Sequence, residues 1–209
     1  TPGTGDRGDS DSEDQWTANE AIRTVAMWKM LAAFMLLALA MGGFMVHRFA
    51  FWADLGFDRG IIAWAFSLDS LVFAGAMLLA GFLVDRYPVR LVGACAALLQ
   101  IVGVLVTMNL NNTLGLYVAA MAVGLGAGTS GVVQIHIWPA YYGRAHIGSI
   151  RGIVVPTTLI GMGLSPPLVG RIYDAAGSYL PAFWLSVVFI AIAAVLLASA
   201  APPRRKHIA

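Results

Sequence analysis

The chain has 209 residues, 59% of them hydrophobic and only 11% charged, with a formal net charge of +2 and a mean hydropathy of +0.77. A soluble globular chain carries roughly a quarter charged residues, so this one cannot cover itself with polar surface in water. The small net charge, with basic residues set between apolar runs rather than along a stripe, excludes nucleic-acid binding.

In chain order, residues 1–26 read as a disordered cytoplasmic linker carrying a short helix. Thr1 to Gln15 is dense in Gly, Asp and Ser and too poor in apolar surface to order itself. The chain opens on Thr1 without an initiating Met, as a fragment or processed product would. Thr17-Ala18-Asn19-Glu20 has the form of a capping box, so a helix should begin there and lead into the membrane. Residues 27–201 form the membrane domain and residues 202–209 a basic cytoplasmic tail.

Six apolar runs make up that domain: Trp28 to Trp52, Ile61 to Val84, Leu91 to Met108, Leu116 to Trp138, Ile153 to Ile172 and Pro181 to Ala200. At 1.5 Å rise per residue each can cross a hydrocarbon core of ~30 Å. Without water to satisfy backbone groups these runs must be helices, since barrel strands would be half as long and would alternate apolar with polar. The fold expected is all-α, a polytopic bundle of six spans. Ten basic residues (Arg7, Arg23, Lys29, Arg86, Arg90, Arg144, Arg151, Arg204, Arg205, Lys206) fall on the side of the termini. Only Arg48, Arg59 and Arg171 fall on the other. The bias places both termini in the cytoplasm, and the membrane expected is the cytoplasmic (plasma) membrane.

Small residues recur where helices would touch: Gly124 with Gly128, and Gly161 with Ser165, each pair four apart. Pro156, Pro166 and Pro167 are expected to kink or break the fifth span. Asp69 lies about 12 Å from the outer end of the second span, where a carboxylate costs several kcal/mol unless paired or wetted. It is the leading candidate for solute binding or for carrying a coupling proton, against the plainer role of a carboxyl bonded to a neighbouring helix. His47 and Arg48, near the outer end of the first span, could bind or gate an anion, although Arg48 could equally snorkel outward. Gln134 and His136 in the fourth span are secondary candidates.

Gly81-Phe82-Leu83-Val84-Asp85-Arg86-Tyr87-Pro88-Val89-Arg90, the turn between the second and third spans, resembles the signature loop of the major facilitator superfamily. Gly81, Asp85, Arg86 and Arg90 match, while Pro88 stands where that family usually has a second glycine. The resemblance implies that Gly81 permits close helix contact and that Asp85 with Arg86 latches the inner gate. Tyr141-Tyr142-Gly143-Arg144, Gly148-Ser149-Ile150-Arg151-Gly152 and Ser165-Pro166-Pro167-Leu168-Val169-Gly170-Arg171-Ile172-Tyr173-Asp174 are similar to parts of its monocarboxylate and oxalate-formate branch, as is His47 followed by Leu55-Gly56-Phe57. The resemblance implies helices seven to twelve of a twelve-helix secondary transporter, built as two three-helix inverted repeats. The partners implied are a small solute, the lipid bilayer, and a second six-helix half or a second copy; no cofactor is implied. Carboxylate transporters of this branch commonly carry a basic residue in the eighth or eleventh helix. Neither Ile61 to Val84 nor Ile153 to Gly170 contains one, which speaks against a carboxylate substrate.

Other classes fare worse. Gly126-Ala127-Gly128-Thr129-Ser130-Gly131 fits the dinucleotide pattern but sits inside a membrane run with no strand before it. Gly128-Thr129-Ser130-Gly131 resembles the nucleophile motif of rhomboid intramembrane proteases. The histidine such a serine needs is absent from Pro181 to Ala200, and His136 is on another face of its helix. The four histidines are scattered and form no metal motif, and Cys95, the one cysteine, lies inside an apolar run. The expectation is a non-enzymatic transporter without metal, with a non-transporting scaffold as the alternative.

Overall fold

The computed structural model describes residues 15–203, which form seven helices: α1 (Ala18–Ala21), α2 (Val25–Asp54), α3 (Arg59–Arg86), α4 (Val89–Met108), α5 (Thr113–Tyr142), α6 (Ile147–Ala176) and α7 (Leu180–Ser199). The expected disorder over residues 1–14 and the end of the basic tail, residues 204–209, lie outside the described residues. The helices α2 to α7 are each long and apolar enough to span a membrane. They overrun the apolar stretches read from sequence, most of all α6, which starts six residues before Ile153. Arg151 interrupts the apolar run but does not break a helix, so hydropathy marks the membrane edge and not the helix end.

The capping box at Thr17 forms, with the Thr17 hydroxyl and the Glu20 carboxylate each satisfying the other's backbone N–H. It does not lead into the membrane, because α1 stops after one turn and Thr24 caps α2 afresh. Nor does the expected disorder extend over residues 15–26. Trp16 is buried, its N–H donates to Tyr142 O at 3.0 Å, and its ring meets that of Tyr142 edge-on. Ala145 N–H donates to Gln15 Oε1 at 2.9 Å, so the segment before α2 is fastened to the α5–α6 turn.

The packing map shows how the bundle is built. The helix α2 packs along α6 and α7, α5 along α3 and α4, and α4 along α7. Exchanging α2, α3 and α4 with α5, α6 and α7 leaves this map unchanged. An odd number of spans in each unit means that the second enters the membrane from the opposite side, so the two units are inverted repeats.

In hydrocarbon, helices associate through van der Waals contact and polar bonds, so close backbone approach matters. The predicted small-residue pairs supply it in both repeat-related contacts. A Cβ on Gly124 would come within 2.5 Å of Asp69 O, and one on Gly128 within 2.4 Å of Phe73 O, which fixes α5 against α3. Across α2 and α6, a Cβ on Gly161 would meet Met35 Sδ at 2.8 Å, and one on Gly43 would meet Ser165 Oγ at 2.7 Å. The Ser165 hydroxyl accepts from Gly43 N–H at 2.6 Å and donates to Leu39 O, so it bonds two backbone groups one turn apart on α2. The three prolines do not break α6, which runs unbroken to Gly177, a left-handed cap residue at φ +66°.

Gly128→Ala forces a methyl against the Phe73 carbonyl and should cost about 1–3 kcal/mol, as overpacking does. Gly148→Ala, with open space around its Cβ, should change stability by less than ~0.5 kcal/mol. Thermal unfolding of the detergent-solubilised complete protein compares the two, and equal shifts would contradict the tight α3–α5 contact.

Candidate functional site

Arg48 sits six residues before the end of α2, on the face turned to α3. Its side chain does not snorkel outward. Arg48 is 1% exposed and Asp69 8%, and Arg48 Nη2 donates to Asp69 Oδ2 in an ion pair, the one such pair among the described residues. The guanidinium lies over Phe66, with Cζ 4.3 Å from the ring centroid, and beside Trp52 at 5.4 Å. Phe66 is three residues before Asp69 and Trp52 four after Arg48, so ordinary helix spacing brings both rings to the pair. The absence of a side chain at Gly124 leaves room for Asp69, whose Oδ1 would lie 2.7 Å from a Cβ there. Two donors of Arg48, Nε and Nη1, are buried without partners. A planar cation with spare donors, held by one carboxylate and two ring faces, is chemically equipped to receive a second anion.

The structure separates the other sequence candidates. Although adjacent to Arg48 in sequence, His47 points about 100° away along the helix. Its Nε2 lies 3.2 Å from Pro166 O and its ring 5.5 Å from that of Tyr179. His136 turns back on its own helix, with Nδ1 2.9 Å from Val132 O. Gln134 does reach the interior. It lines a cavity of about 290 Å³ formed by α2, α4, α5 and α6, with Met41, Met45 and Met162 among its apolar walls.

Sequence reading overlooked Gln100, the other amide of that cavity. It donates to Gly126 O at 3.2 Å and to Ser130 Oγ at 2.8 Å, and among the described residues it is the only side chain of α4 that reaches a neighbouring helix by a hydrogen bond. A lone glutamine in so apolar a run was the available signal. The Ser130 hydroxyl is thus engaged by an amide, with no histidine beside it to act as a base. At the loop, Asp85 and Arg86 are exposed, and neither forms an ion pair within the described residues. Among the described residues, Gly81 has nothing from another helix within 4 Å of its would-be Cβ, so no helix packs closely on it here.

Six spans in two interchangeable three-helix units, with a buried ion pair and a cleft lined by four of the helices, define a multi-pass membrane protein of the inverted-repeat kind. The profile of the Major Facilitator Superfamily matches residues 24–209, and the chain belongs to that superfamily. It is 31% identical over 162 residues to human Monocarboxylate transporter 11, an alignment covering 71% of this chain and 34% of that protein. The matched part therefore spans about a third of the relative's length.

Removing one partner of a buried pair strands the other, typically at a cost of about 3–5 kcal/mol. Arg48→Met should lower stability by that order, and adding Asp69→Leu should recover most of it, since the stranded carboxylate is then gone too. A double-mutant cycle read by thermal unfolding of the complete protein checks this. Additive losses would mean that the two side chains are not coupled.

Proposed function

We propose that this chain is the C-terminal six-helix half of a secondary active transporter that moves a small organic anion or related metabolite by alternating access. In this reading both termini face the cytoplasm across the plasma membrane. A second six-helix half, or a second copy, covers the faces of α3 and α6, which most of this chain's packing leaves open. The exposed hydroxyls there, Ser67, Ser70 and Thr157, bond to carbonyls of their own helices and so leave the surface free to dock. Superfamily membership supports transport over enzymatic function.

The observation that carries the reading is the buried Arg48–Asp69 pair. The relative's name points to monocarboxylates. Neither α3 nor α6 supplies a basic residue at mid-span, but α2 delivers Arg48 onto α3, so the cation that such a solute requires is present after all. Proton and anion then share one device. While Asp69 is ionised, it holds Arg48. A proton on Asp69 cancels that attraction, and the guanidinium turns to the solute's anionic group. Releasing both restores the pair, so solute and proton cross together. A non-transporting scaffold would have no use for an ion pair kept at this desolvation cost. Asp85 and Arg86, exposed at the α3–α4 turn, close the inner gate against the other half.

Uptake of radiolabelled pyruvate and lactate by the complete protein in liposomes should rise as the outside pH falls. Asp69→Asn should remove that pH response and lower gradient-driven uptake at least tenfold. Unchanged rate and pH dependence would end the coupling role. Asp85→Ala should slow turnover severalfold at unchanged half-saturation, and intact turnover would dispose of the latch.

A further inference from the structure

Two clefts of this bundle, both open on the outer face of the six helices, adjoin at a wall of Gln134 and Thr158. The central cavity has no ionisable side chain in its lining, and its polar groups are Gln100, Ser130, Gln134 and Thr158. Gln100 Oε1 is buried without a partner, an atom that calls for a water or a ligand donor. The second cavity, about 250 Å³, lies between α5 and α6 nearer the termini, and Arg151 is the one charged residue lining it. Gln134 and Thr158 line both cavities.

The wall itself is thin. Gln134 Nε2 donates to Thr158 Oγ1 at 3.3 Å, near the long limit for such a bond, and the Thr158 hydroxyl turns back to Val154 O at 3.0 Å. Among the described residues this is the one side-chain hydrogen bond joining α5 to α6, and the two helices pack little against each other elsewhere. Opening it would join the cavities without unpacking a helix interface. Along α5 the order is Gly131 in the central cavity, Gln134 in the wall and Trp138 in the second cavity, about one turn apart each. Once the second half proposed above covers both clefts, an anion in the uncharged one is poorly solvated, and the Arg151 guanidinium, exposed in this chain, draws it onward.

We infer that the Gln134–Thr158 bond is a septum between two chambers of one solute path, and that Arg151 is the anion-binding site in the chamber beyond it. The inference rests on the transport reading, and it narrows the solute to a small molecule bearing an anionic group.

A reporter thiol tests it without transport. In the complete protein carrying Cys95→Ala, Gly131→Cys places a thiol in the central cavity at a position with open space for a side chain. The probes are two methanethiosulfonates, one bearing a sulfonate and one a trimethylammonium group, applied from the side of the termini. Thr158→Val, and independently Gln134→Leu, should raise the labelling rate of both probes at least threefold. Arg151→Gln should slow the sulfonate at least threefold and leave the trimethylammonium unslowed. Rates unmoved by both wall substitutions would overturn the septum, and an unmoved ratio between the probes would overturn the anion site. Because no solute is moved in this assay, its failure leaves the proton-coupled uptake experiment to decide the transport reading separately.

Discussion

In hydrocarbon, water does not drive helices together, so a bundle holds only where backbones come close enough for dispersion and polar bonds to act. The rest of this structure depends on that constraint. Gly124 and Gly128 admit the α3 backbone, and Gly43 and Gly161 admit the contacts between α2 and α6. These approaches also set the chemistry. The gap at Gly124 gives Asp69 its place, and the tight seam between α3 and α5 holds the carboxylate where Arg48 can reach it from α2.

The two repeats share a packing plan but not a chemistry. At the α3–α5 contact the polar element is a charged carboxylate, paired across to α2. At the equivalent α2–α6 contact it is the neutral Ser165 hydroxyl, bonded into the backbone of α2. Symmetry thus supplies the scaffold, and it is broken where the one ion pair among the described residues sits. The polar groups near α5 run from the ion pair beside Gly124, through Gln100 and Ser130, to Gln134 at the wall.

Much of this was legible in the sequence, because a bilayer forces local rules. Run length gave the spans, small residues four apart gave the tight contacts, and one acid in an apolar run gave Asp69. What was not legible was who meets whom. Arg48 lies near the end of its span, where an outward-reaching arginine is ordinary, and only the placement of α3 shows it turned inward. His47, its neighbour, looked equivalent in one dimension and is directed to α6 in three. The second and fifth spans carry no basic residue of their own at mid-span, and only the fold shows that Arg48 of the first span is laid onto the second. Hydropathy also could not show that the segment around Trp16 docks on Tyr142, because that contact joins residues more than a hundred positions apart.

The Ser165 hydroxyl of α6 grips one turn of α2, bonding both Gly43 N–H and Leu39 O. Inserted side chains are among the few things that bend helices sharply. Arg48 lies five residues beyond Gly43 on the same helix, a distance of about 7.5 Å. A bend of ~20° there swings its root through about 2.5 Å, comparable to the length of a hydrogen bond. A flexure of α2 at the turn that Ser165 holds would therefore shift Arg48 against Asp69 by about the length of the bond between them.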